Sequence, residues 1–91
     1  MKKYVIERNI PKVHCMGPEE LKGAAATSND ALAKLSPRVQ WLHSYVTPDK
    51  TFCIYLAEDE NAVREHAELS GFPANVISEV TTTIDPSTAH A

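Results

Sequence analysis

Two β-rich runs, Trp41-Leu42-His43-Ser44-Tyr45-Val46 and Thr51-Phe52-Cys53-Ile54-Tyr55-Leu56, flank the connection Thr47-Pro48-Asp49-Lys50. No other feature constrains the chain as tightly. Aromatic and β-branched residues on both sides of a Pro-Asp connection predict a β-hairpin over roughly 39–57. The same stretch gathers an imidazole, a thiol, two phenols and an indole. Strand side chains alternate, so Trp41, His43 and Tyr45 are expected on one face, and Cys53 and Tyr55 on one face of the next strand.

Which faces meet depends on the register. A two-residue connection at Pro48-Asp49 puts His43 alongside Phe52, Ile54 and Leu56, expected beneath the helices. A three-residue connection puts it alongside Cys53 and Tyr55, on the opposite face. One residue of slip exchanges the two, and the residues leave both open.

The flanking elements follow from periodicity. Tyr4, Ile6, Arg8 and Ile10 fall on one face of a first strand that Pro11 closes. Pro18, with Glu19 and Glu20 behind it, opens a helix. Leu21, Ala24, Ala25, Ser28, Leu32 and Leu35 form its stripe, and Ser36-Pro37 ends it. Asp59 is the expected N-cap of a second helix that stops at Gly71. A last strand is expected over 76–84, with 85–91 a flexible tail. The order β-α-β-β-α-β predicts one α+β domain with a ferredoxin-like fold: a four-stranded antiparallel sheet with two helices on one face. The other face is left bare, so a homodimer pairing two sheets into an α+β barrel is expected.

Ninety-one residues allow one modest core, and a net charge of −3 with no basic block gives no case for nucleic acid. No apolar run nears the roughly 20 residues of a membrane span. Lys2-Lys3 begins like a signal peptide, but charge returns after three apolar residues. A cytoplasmic protein is expected, with Cys15 and Cys53 as reduced thiols.

A set of motifs adds to this reading: Glu7-Arg8, the 41–46 run, Asp49-Lys50, Phe52-Cys53-Ile54-Tyr55, Arg64-Glu65-His66-Ala67, Gly71-Phe72-Pro73 and Ile84-Asp85-Pro86. Together they resemble a family of small bacterial proteins, long catalogued as a domain of unknown function, that includes a nickel-responsive, nickel-binding member. The resemblance runs from Tyr4 to Thr88. It implies a dimeric ferredoxin-like fold and, for part of the family, Ni²⁺ binding, and it implies no catalysed reaction.

His43 and His66 are the candidate ligands, since neutral imidazole binds Ni²⁺, Zn²⁺ or Cu²⁺. The competing reading is structural: a half-buried His43 bonded to Ser44 or a carbonyl, and a core His66 satisfied by protein groups. Glu7 and Glu79 are strand carboxylates that could add oxygen ligands or orient a histidine, or simply form surface ion pairs. Trp41, Tyr45, Cys53 and Tyr55 are candidates to line a cavity, with Cys53 more simply a small buried hydrophobe. His14-Cys15-Met16 offers three soft donors without the spacing of a known metal motif.

Three functions compete. The first is a transition-metal protein, for nickel above all, acting in sequestration or response. The second is a cofactor-independent enzyme of the dimeric α+β barrel type, a monooxygenase or isomerase, with His43 as base and Tyr45 or Tyr55 orienting substrate. The third is a non-catalytic ligand-sensing or interaction module.

Overall fold

The structure, a computed structural model, describes residues 1–12 and 15–90. His14 of the His-Cys-Met loop lies outside the described residues. The elements are β1 (Lys2–Asn9), α1 (Pro18–Leu35), β2 (Val39–Val46), β3 (Lys50–Ala57), α2 (Glu60–Ser70) and β4 (Val76–Val80), followed by a short 3-10 turn at Pro86–His90. The strands form one sheet in the order β2-β3-β1-β4, with every neighbouring pair antiparallel.

Local chemistry sets the ends of the helices. Pro18 starts α1 with Glu19 and Glu20 in its first turn, where the helix dipole favours negative charge. Asp59 caps α2, its carboxylate accepting the Ala62 N–H at 2.9 Å. Gly71 ends α2 in the left-handed region at φ +76°, and its N–H donates to the Ala67 carbonyl at 3.0 Å. Both α2 ends stand where the sequence puts them.

Both helices lie on one face of the sheet. The side chains buried there are Tyr4, Ile6 and Arg8 from β1 and Thr51, Cys53, Tyr55 and Ala57 from β3. α1 contributes Ser28, Ala31 and Leu35, and α2 contributes Ala62, Val63, His66 and Ser70. The buried part of α1 is thus its C-terminal half, while Leu21 near its start is 41% exposed. β4 stops at Val80 rather than running to residue 84. Val80 pairs with Lys3, and β1 has only one more residue to offer. Beyond it the chain coils, and Asp85 organises the 3-10 turn by accepting the Ser87 N–H at 2.8 Å. Among the described residues, no helix is long and apolar enough to cross a membrane.

The hairpin differs from its simplest reading in two ways. The connection is the two-residue one: the Thr47 N–H donates to the Lys50 carbonyl, and Val46 pairs with Thr51. His43 accordingly pairs with Ile54. A bulge then falls between Trp41 and His43, so that Trp41 pairs with Tyr55 and Leu42 is the extra residue. The bulge breaks the alternation, and Trp41 does not share a face with His43 and Tyr45. The second correction concerns β3. Phe52, Ile54 and Leu56 point away from the helices, whereas Cys53 and Tyr55 lie beneath them. Each face of β3 is apolar enough to be buried, so hydrophobicity alone does not choose between them.

Candidate functional site

His43 and Tyr45 project from β2 onto the sheet face that the helices leave open. Both are exposed, and their rings meet edge to face with centroids 5.1 Å apart. Among the described residues no hydrogen bond ties up the His43 ring. Glu7 stands on the same face, across β3: it pairs with Phe52, which pairs with Tyr45. Its carboxylate lies 3.6 Å from the Lys50 ammonium. With strands about 4.8 Å apart, His43 and Glu7 of one chain are about 10 Å or more apart, too far to share an ion. Among the described residues no three His, Cys, Asp or Glu side chains converge as a metal cluster. One chain therefore brings an accessible imidazole and a carboxylate to the open face, and a full shell for Ni²⁺ would need further donors.

His66 sits elsewhere. It is fully buried on α2 against the helix-side face, its ring centroid 4.9 Å from that of Tyr55. The sheet thus separates His43 from His66, and one chain cannot join them in one site. His66 Nε2 lies 3.1 Å from the Ser28 hydroxyl, while Nδ1 is buried with no partner among the described residues. A proton on Nε2, donated to Ser28, leaves Nδ1 as a bare acceptor, which costs less than an orphaned N–H. Burial, reinforced by the charge of Arg8, pushes the His66 pKa down to about 4. The ring is neutral near pH 7, but the same guanidinium would repel a divalent cation at Nδ1. Glu79 is at the rim, 3.6 Å from the Lys2 ammonium and half exposed.

The helix-side face also encloses a cavity of about 460 Å³ between the first half of α1 and the sheet. Trp41, Cys53 and Tyr55 line it, and Tyr45 does not. The bulge at Leu42 makes this possible, because it turns Trp41 inward, where its indole N–H donates to the Ser44 hydroxyl at 3.0 Å. Burial raises the Tyr55 pKa, partly offset by the charge of Arg8 and a hydrogen bond with Ser28. Arg8, also in the lining, is 2% exposed. Its guanidinium donates to the Pro73 carbonyl at 2.7 Å and to the Tyr55 hydroxyl at 3.4 Å, and stands 5.8 Å from the Phe72 ring centroid. Arg8 was not among the site candidates from sequence. The signal was there: it shares the period-two face of Tyr4 and Ile6, which marks a charge carried into the core.

A family model described as "Nickel responsive protein SCO4226-like" matches residues 4–80, most of the chain. The crystal structure of SCO4226 from Streptomyces coelicolor A3(2) superposes with a TM-score of 0.76 at 15% identity, covering 90% of this chain and 99% of that one. At that identity the likeness speaks for the fold, which is ferredoxin-like in both. No curated protein matches the chain.

Proposed function

The chain belongs to the SCO4226-like family of nickel-responsive proteins, and we propose that it binds Ni²⁺ through the open face of its sheet, in sequestration or response rather than catalysis. The observation that carries this reading is His43: an exposed imidazole on a rigid strand, with no hydrogen bond to its ring among the described residues. A neutral imidazole of that kind is a good donor to Ni²⁺, and also to Zn²⁺ or Cu²⁺. Glu7 on the same face adds an oxygen donor. His66 and Glu79 are the weaker candidates, the first because Arg8 stands beside it and the second because it lies at the sheet rim.

The missing donors come from a second copy. Phe52, Ile54 and Leu56 are only partly buried on the open face, and Tyr45 and Val76 are 60% and 45% exposed. Two such faces packed together would cover this apolar surface and bring His43 and Glu7 of both chains into one layer. The enzymatic alternative fits less well. Tyr45 shares the face of His43, but both rings are exposed there, and the cavity, lined by Tyr55, lies on the other side of the sheet.

Calorimetric titration of metal-free protein with Ni²⁺ tests the reading. Saturable heat that falls about tenfold or more in affinity in His43→Ala, and persists in His66→Ala, is the expected result. Unchanged binding in His43→Ala would remove its basis.

A further inference from the structure

The cavity beneath α1 holds an unusual combination. Its walls are mostly apolar, with Ile10, Leu21, Ala25, Trp41 and Phe72 among them. Its volume of about 460 Å³ lies within the usual range of small-molecule sites. Leu21 and Val46, 41% and 46% exposed, stand at its rim, so the space is open to solvent between α1 and the hairpin. Among the described residues its lining carries a single full charge, the Arg8 guanidinium. Among the described residues no carboxylate lies within ion-pair distance of it. The contrast with Arg38 is direct: that exposed guanidinium pairs with Glu58 at 2.8 Å and Glu65 at 3.0 Å. Arg8 is buried, yet its acceptors, Pro73 and Tyr55, are both neutral.

A buried cation without an anion is costly, and a guanidinium has five N–H donors arranged to take a carboxylate in a two-pronged grip. We infer that this cavity binds a small organic monocarboxylate with an apolar body, its carboxylate on Arg8 and its carbon skeleton against Trp41 and α1. One negative charge matches one guanidinium. A phosphate dianion would leave a charge unmatched in an apolar pocket. Tyr55 and Ser28 provide hydroxyls beside Arg8 that can bond the second oxygen. The site shares no residue with the open face, so it stands or falls independently of nickel binding.

The test uses 3-phenylpropanoate as probe and the fluorescence of Trp41, the chain's one tryptophan, as readout. The acid gives a saturable change, and 3-phenylpropan-1-ol, with the same skeleton and no charge, binds about tenfold or more weakly. Arg8→Met erases the preference for acid over alcohol. Ala25→Phe fills the cavity and abolishes binding while leaving Arg8 in place. Inorganic phosphate does not displace the acid. Equal affinity for acid and alcohol in the unaltered protein, no saturable change with the acid, or displacement by phosphate would each overturn the inference. The comparison of acid with alcohol needs no variant and decides the question even if Arg8→Met fails to fold.

Discussion

Both faces of this sheet are apolar, but only one of them is covered within the chain. The helix-covered face carries Tyr4, Ile6, Thr51, Cys53, Tyr55 and Ala57, a buried Arg8 and, facing it from the helices, Ser28, Val63 and His66. The face without helices carries Phe52, Ile54, Leu56 and Tyr45. In β3, which is apolar on both sides, side-chain apolarity alone does not select the covered face; β1 does, with Tyr4 and Ile6 buried beneath the helices. Tyr4, Ile6 and Tyr55 pack beneath the helices beside a buried polar cluster of Arg8, Ser28 and His66, while Phe52, Ile54, Leu56 and Tyr45 are left on the other face. The open face is the one suited to a partner of its own kind, and the covered side, with its cavity and its buried guanidinium, is the one suited to a ligand.

Paired substitutions on the two faces should break that contrast most sharply. Ile6→Ala on the helix side removes a fully buried side chain and is expected to cost about 2–5 kcal/mol. Tyr45→Ser on the open face changes a residue that is 60% exposed and should cost within about 0.5 kcal/mol in a lone chain. Denaturant melts of both variants check this. A loss for Tyr45→Ser that grows with protein concentration would show instead that a second copy covers the open face.

The next effect belongs to His66 alone. Its pKa of about 4 in the fold lies below its ordinary value of 6.5, so the unfolded chain takes up the proton first. Stability from this group is complete above pH 6.5 and is lost as pH falls toward 4. Between pH 7 and 5 the loss should be about 2 kcal/mol. His66→Gln should flatten that part of the stability profile. Equal slopes in the unaltered protein and His66→Gln would refute the assignment.

How much of this was legible in the sequence depends on how local the signal is. Asp59 and Gly71 mark the ends of α2 through contacts within a few residues, and both could be read directly. The element order, and with it the ferredoxin-like sheet, follows from periodicities of two and 3.6. The open face was harder. β3 is apolar on both sides, so Phe52, Ile54 and Leu56 looked as suitable for the core as Cys53 and Tyr55. The bulge at Leu42 has no glycine to announce it, and it alone moves Trp41 from the face of His43 into the cavity wall. Arg8 was visible as part of the Tyr4–Ile6 face, but its role depends on Pro73 and Tyr55, 65 and 47 residues away in the chain. Such a cluster exists only once the sheet has formed.

The smallest expected effect separates structure from metal binding on the open face. The Lys50 ammonium lies 3.6 Å from the Glu7 carboxylate, with the two side chains 47% and 30% exposed. An ion pair this exposed contributes about 0–1 kcal/mol, so Lys50→Ala should hardly move the melting transition. Its effect on nickel should be larger than its effect on folding. Lys50 holds a positive charge beside a proposed oxygen donor, and removing it frees the Glu7 carboxylate and lowers the local repulsion of a dication. Tighter Ni²⁺ binding by Lys50→Ala at low salt, with the gain erased in Lys50→Ala/Glu7→Gln, is the expected pattern. If the double variant keeps the gain, Glu7 is only the lysine's surface partner, and the donors must be sought around His43 without it.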